Sequence, residues 1–374
     1  MSTTTTDPAA PEAEQAPSRA GRIALGWAGA AAVTGLLLWW GVSSGACVST
    51  ARDWTFLVIT GLTIGFLYAL IALGYTMVYG VLQLINFAHS EVFMVGSFAG
   101  LYAISMFGIG RTDAETGVAG GTLLLVLVVS LALAGLASAG TAVAIERVAY
   151  RPLRKRGVPR LNYLITAIGV SLFLSNLFQL LDGQKHLGLP FAWPNIAGKE
   201  ALIYPQFMPR KSAFTIFGVH VSNQQVLIVV VGILMLIALD RFVSTTRTGQ
   251  GIRAVAEDPE TASLLGVDIN RIIVITFAIG GFMAGVAGLL YGMYFNQAIF
   301  NMGFQAGIAA FTAAVLGGIG NIRGAMLGGI LLGLIQNLGT ACVPTQWQPV
   351  IVFSVLVLVL LFRPTGLLGE RVGG

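Results

Sequence analysis

Two long stretches of this chain carry almost no charge, and their length limits what it can fold into. From Asp53 to Gly110 there is no Lys or Arg, and from Ile272 to Phe362 the single charged residue is Arg323. A helix needs about 20 apolar residues to cross a hydrocarbon core of about 30 Å, and these stretches outlast any buried element of a water-soluble fold. Composition agrees, with 10% of residues charged and 56% hydrophobic, against about 25% and 45–50% in a soluble domain. So few charges cannot solvate the outside of a 374-residue globule. The sequence therefore reads as all-α, a polytopic transmembrane helical bundle. A soluble enzyme, a disordered chain and a disulfide-stapled secreted scaffold are excluded.

Ten apolar runs follow one another: Ile23–Val42, Phe56–Leu82, Phe87–Phe107, Gly121–Ala144, Tyr163–Leu181, Val226–Leu239, Ile272–Tyr294, Gln305–Gly318, Ala325–Leu338 and Pro349–Phe362. Several are short enough to be tilted, re-entrant or merged, so eight to ten crossings are expected. Residues 1–21 form a polar tail expected to be disordered, and 22–370 form the transmembrane domain. The 48 glycines are costly for a helix in water, but in a bilayer small residues let helices approach closely. Gly281 with Gly285, Ala284 with Gly288, and Gly324 with Gly328 read as packing faces.

The net charge of +5 does not indicate nucleic acid, because the basic residues cluster between apolar spans. With ten crossings and a cytoplasmic N-terminus, 15 of the 21 Lys and Arg fall inside and 6 outside, which is the positive-inside pattern. Arg147, Arg151, Arg154, Lys155, Arg156 and Arg160 share one short inside loop. The long 183–223 connection lies outside. Cys47 and Cys342 also land outside, where an oxidising exterior permits either a bridge or two separate thiols. Two cysteines alone make no metal site.

Polar residues between apolar runs are the informative ones, since charges in a membrane are usually interfacial or functional. Asn86, His89 and Glu91 lie between the second and third runs, where the chain must turn or break. Asn86 suits an N-cap and Glu91 a helix's first turn. The segment is either a capped interfacial turn or a broken helix with His89 and Glu91 facing a water-filled path. Gly317, Gly320 and Asn321 lie in a second interruption with Arg323. It is either a tight turn whose Arg snorkels to head groups or the counterpart of the Asn86 break. No convincing sequence repeat supports the pairing. A third segment, 241–271, is polar and of mixed charge. Pro259 suits the first position of a helix capped by Asp258. Ala262, Leu264, Leu265 and Val267 give it a short apolar face that Gly266 ends.

The spacing Glu260-x-Ala262-x-x-x-Gly266 resembles the E-A-A-x-x-x-G loop of ATP-binding-cassette (ABC) importer permeases, with Thr261 in place of the second alanine. The stretches Thr248–Asp258 and Ala262–Val267 resemble the coupling region of branched-chain amino-acid permeases. So do Tyr75–Gly80, Ile85–Glu91, Ile145–Arg154, Phe311–Gly320 and Pro364–Gly369. The resemblance covers about Thr60 to Gly369 and is nearest the LivH-like of the family's two permease subunits. The polar extension and first run, and Ser90 where the family usually has Gly, are departures.

The resemblance implies an ABC importer permease in a bacterial plasma (inner) membrane. Its implied partners are a second, LivM-like permease, two ATPases (LivG-like and LivF-like) and an extracytoplasmic binding protein, besides membrane lipid. Arg253, Glu257, Glu260, Ala262 and Gly266 would couple to the ATPases, and Asn86, His89, Glu91, Gly317, Gly320 and Asn321 would serve the pathway. The residues themselves agree. No GxxxxGK[ST] phosphate loop occurs, so no catalytic residue, metal or cofactor is expected in this chain. Paired buried carboxylates for ion-driven uptake are also missing. Urea or short amides are the alternative cargo, and an ion-coupled secondary transporter is the alternative class.

Overall fold

The computed structural model describes residues 48, 50–109, 120–180, 201–208 and 211–369. The polar tail, the run Ile23–Val42 and Cys47 lie outside them. Each of the nine later apolar runs becomes a helix, and among the described residues seven helices are long and apolar enough to cross a membrane. In chain order, α1 is Ala51–Leu82, α2 His89–Ser105 and α3 Gly121–Ile145. A π turn at Glu146–Tyr150 then leads into α4 (Arg151–Lys155) and α5 (Arg160–Leu180). Short strands β1 (Leu202–Ile203), β2 (Ser212–Ile216) and β3 (Val219–Ser222) precede α6 (Asn223–Thr245), which starts on a Ser222/Gln225 capping box. The polar segment holds α7 (Arg247–Glu257) and α8 (Pro259–Leu264). The rest is α9 (Ile269–Phe295), β4 (Gln297–Ala298), α10 (Met302–Gly317), α11 (Ile322–Gly339) and α12 (Gln348–Phe362).

Two triads of helices build the core, and the second repeats the first upside down. α1 ends on Gln83 in the left-handed conformation (φ 53°), and a 17-residue helix starts at His89. α9 ends on Asn296, also left-handed (φ 55°), and a 16-residue helix starts at Met302. Six residues separate helix from helix in both cases. α1 packs antiparallel on α11 and α9 antiparallel on α3, through the small residues. A Cβ on Gly333 would lie 2.4 Å from the Gly65 backbone, and one on Gly329 2.5 Å from that of Ala69. Gly281 and Gly285 press on Ala142, Ser138 and Ala134 in the same manner, and Gly328 on Ala313. The small-residue pairs are therefore packing faces, as expected.

The counterpart of the Asn86 break is thus Asn296–Asn301, and the Gly317–Gly324 loop has another role. It turns α10 into α11 through Gly318 and Gly320, both at positive φ (108° and 98°). The amides of Leu367 and Leu368 donate to the carbonyls of Leu316 and Gly317 at 2.8 and 2.9 Å. The Arg323 side chain is 74% exposed and also has a protein partner. Its guanidinium pairs with Asp240 at the end of α6 through two 3.1 Å bonds.

Cross-contacts sort the loops into two ends. At one lie the Asn86 break, the basic α3–α5 connection, α7, α8 and the Gly317–Gly324 loop; this is the basic end. At the other, Val48 N–H donates to the Ala341 carbonyl (3.0 Å), β1 pairs with β4, and β2 and β3 form a hairpin. Cys342 is disulfide-bonded there.

Candidate functional site

The break before α2 is built from both ends of its sequence. Ile85 and Asn86 lie in irregular chain, and α2 begins with Ala88 as its cap residue, without a side-chain cap bond. Asn86 is therefore not the N-cap. Its Oδ1 instead accepts the Ala88 amide at 3.1 Å and the Tyr150 hydroxyl at 2.6 Å, an arrangement that satisfies a buried carbonyl from two sides. Small clefts flank it, one lined by Tyr75, Tyr79, Phe311 and Ile319, the other by Val78, Tyr150, Tyr163 and Phe277, with Leu84, Ile85 and Asn86 common to both.

His89 and Glu91 do not face water within this chain; they are 1% and 0% exposed. The His89 ring meets Tyr75 edge-on at 4.8 Å and lies where a Cβ on Gly74 would be, 2.2 Å from Nε2. Gly74 is eight residues before the end of α1, about 12 Å at 1.5 Å per residue, so α2 starts well inside the bundle. Glu91 Oε1 accepts the Ser171 hydroxyl of α5 at 3.1 Å. Its Oε2 lies 2.6 Å from where a Gly303 Cβ would be, in the first turn of α10, and has no hydrogen-bond partner. The first turns of the two short helices therefore meet at a carboxylate. Positive helix ends favour that charge, and broken helices whose N-termini converge are where transporters place their pathways.

Gly317, Gly320 and Asn321 are not brought to this point. Gly317 is buried against Gly324, with 1.9 Å between its would-be Cβ and the Gly324 carbonyl. Asn321 caps α11 by accepting the Gly324 amide (3.0 Å) and donates to the Leu368 carbonyl (2.9 Å). Gly320 is exposed with open space around it.

The polar segment divides in two at Asp258. α7 buries Gly249, Gly251, Ile252 and Val255, leaving Arg253 and Glu257 exposed; Arg253 donates to the Ser244 carbonyl at 3.4 Å. α8 begins as expected, with Pro259 first and Asp258 as cap: Asp258 Oδ1 accepts the Glu260 and Thr261 amides at 2.9 and 3.2 Å. The apolar face is where the structure departs from expectation. Ala262 is buried and Val267 partly so, but Leu264 and Leu265 are 88% and 78% exposed. The chain then turns at Gly266, in the left-handed region (φ 84°) with nothing within 4 Å of its would-be Cβ. Glu260 is exposed on the same short helix.

The Thr261 hydroxyl, the Thr261 amide and the Glu260 amide hold the Asp258 carboxyl below its usual value. A depressed folded-state value means the cap contributes fully above the unfolded carboxylate value of about 3.9 and is lost as pH falls through the lower, folded one. Asp258→Ala is expected to raise amide hydrogen exchange across 259–266 at neutral pH, with Asp258→Asn, which keeps an acceptor, rising less. Equal protection in wild type and the alanine variant would remove the cap's role.

The sequence did not point to Tyr150, Ser171, Asn270 or the Asn296–Asn301 break. Asn296 carried a usable signal, since asparagine is favoured at a left-handed helix end. The others act through contacts distant in sequence.

A multi-pass helical bundle with paired broken helices and a capped polar helix pair at one end defines a membrane permease. Residues 57–360 match the family described as "Branched-chain amino acid transport system / permease component", and the chain belongs to that family. It is 44% identical over 313 residues to the high-affinity branched-chain amino acid transport system permease protein BraD of Pseudomonas aeruginosa, covering 84% of this chain and 95% of that one. It is 43% identical over 319 residues to LivH of Escherichia coli K12, covering 84% and 94%. A LivH of Methanocaldococcus jannaschii, described as probable, is 26% identical over 315 residues, covering 81% and 89%. No solved structure matches.

Proposed function

We propose that this chain is the LivH-like permease subunit of an ATP-driven importer for leucine, isoleucine and valine in a bacterial plasma membrane. A second, LivM-like permease completes the pathway. LivG-like and LivF-like ATPases dock at the basic end, which is cytoplasmic, as is the N-terminus. An extracytoplasmic binding protein delivers cargo at the other end. The observation that carries this reading is the pair Leu264–Leu265, exposed at the end of α8 and followed by the left-handed turn at Gly266. Two large apolar side chains held out on a capped helix at the charged end are a knob for a partner's pocket, since anchors of that kind dominate interface energetics. Ala262 seats the helix on its own chain, while Arg253, Glu257 and Glu260 supply the polar rim. Within the membrane, Asn86, His89 and Glu91 shape the pathway side of the break, and Gly317, Gly320 and Asn321 hold the loop that closes its basic end. A path with so few charges suits a zwitterion with an aliphatic side chain, held by weak and transient contacts.

The test is uptake into proteoliposomes containing this chain with both ATPases, the second permease and the binding protein. Leucine uptake should require internal ATP and persist when ion gradients are collapsed. Uptake that survives without the ATPases and follows an ion gradient would overturn the class. ATP-dependent uptake of urea or short amides in preference to leucine would overturn the cargo.

A further inference from the structure

On the reading that α8 receives the ATPases, we infer that Asn270, Arg154 and Tyr150 are positioning residues that carry its movement to the Asn86 break. The path alternates hydrogen bonds with short stretches of helix backbone. The turn after α8 is closed by Val267 N–H to the Ala262 carbonyl and Gly266 N–H to that of Ser263, both 3.0 Å. Asp268 then caps α9, accepting the Arg271 amide at 3.1 Å. The second residue of α9, Asn270, accepts Arg154 Nη2 at 2.9 Å. The same nitrogen donates to Glu146 Oε1, also at 2.9 Å, and Glu146 is fully buried. Tyr150, four residues on from Glu146, donates its hydroxyl to Asn86.

The π turn Glu146–Tyr150 makes this possible. Residues eight apart on a regular α-helix are about 80° out of line at 3.6 residues per turn. A turn closed five residues apart rotates less per residue, which brings Glu146 and Arg154 onto one face. Such turns recur at functional sites in helices.

The cluster also has a second arrangement available. Arg154 Nη1 and Glu146 Oε2 are both buried and without a partner, although arginine and carboxylate commonly pair through two parallel bonds. Arg154 instead shares one nitrogen between Glu146 and Asn270. Drawing α8 and Asn270 away leaves Arg154 to close fully on Glu146, which shifts the π turn and with it Tyr150. Because Asn86 Oδ1 also accepts the Ala88 amide, the shift reaches the first turn of α2, where His89 and Glu91 lie. The two-state element is the guanidinium, and both the ATPases and the pathway bias it.

A purely structural Arg154 would only neutralise Glu146, and the two roles separate in the reconstituted importer. The measurement is leucine transported per ATP hydrolysed for Tyr150→Phe, Asn270→Ala, Asn270→Asp and the Tyr150→Phe/Asn270→Ala pair. Each of the first two should lower transport per ATP by about three- to thirtyfold with ATP hydrolysis within about twofold of wild type. Asn270→Asp, which keeps an acceptor for Arg154, should restore at least half. The double variant should be no worse than the more damaging single one, since residues on one path are not additive. Unchanged transport per ATP in both single variants, or losses that multiply in the double, would overturn the relay. If Tyr150→Phe does not accumulate, the alanine and aspartate variants of Asn270 decide alone: a loss with rescue supports the relay, and no loss or no rescue overturns it. A wild-type complex without ATP-driven uptake would instead overturn the proposed function.

Discussion

Gly266→Trp is expected to leave the protein inserted at wild-type abundance and to abolish ATP-driven uptake. Gly266 has a φ of 84° and open space where a side chain would go. A Cβ there therefore meets none of the described residues, and the ring it carries adds bulk next to Leu264 and Leu265 in sequence. Losing a central contact of an interface costs about 2 kcal/mol or more, a loss of roughly thirtyfold or greater in affinity. Backbone strain is a second effect of the same substitution, since a non-glycine residue in the left-handed region costs about 1–2 kcal/mol. Gly266→Ala carries the strain without the bulk and should keep most of the uptake. Leu265→Asp carries neither the strain nor the bulk and should lose it. Co-purification of the ATPases with each variant is the direct measurement. Wild-type uptake by Gly266→Trp would remove α8 from the docking surface.

Gly333→Leu should have the opposite signature, with little protein reaching the membrane and none of it stable. A Cβ there would lie 2.4 Å from Gly65 N and Cα and 2.5 Å from the Gly61 carbonyl. The obstacles are backbone atoms on a neighbouring helix, so no rotamer change relieves them and α1 and α11 must part. Overpacking a core typically costs about 1–3 kcal/mol where side chains can yield; here they cannot, and the loss should exceed that range. Gly80→Ala is the control, because nothing lies within 4 Å of its would-be Cβ. Measured abundance and thermal unfolding should fall for Gly333→Leu and hold for Gly80→Ala. A Gly333→Leu protein with wild-type unfolding would mean that the two helices do not pack as described.

The elements readable from sequence were those whose cause is local. Apolar runs became helices because a bilayer demands internal backbone hydrogen bonding wherever the chain crosses it. Asp258 and Pro259 marked the start of α8 because capping is settled within three residues. Asn86 marked a break because polar residues between apolar runs have few other uses. What Asn86 binds was not readable, since Tyr150 lies 64 residues away and Arg154 reaches Asn270 across 116. The inverted triads were hidden for a different reason. They share helix order and a left-handed helix end, which Gln83 and Asn296 provide with different side chains, so the match is one of backbone shape. Exposed Leu264 and Leu265 look like core residues by type, and only their exposure reveals that none of the described residues covers them.

The segment that follows α12 fastens the end of α10. Inside an apolar bundle the carbonyls of Leu316 and Gly317 would otherwise lack donors, and the amides of Leu367 and Leu368 supply them. Asn321 holds the same segment through the Leu368 carbonyl. The last described residues thus act as a splint laid across the Gly317–Gly324 turn, tying the end of α10, the start of α11 and the segment after α12 to one another.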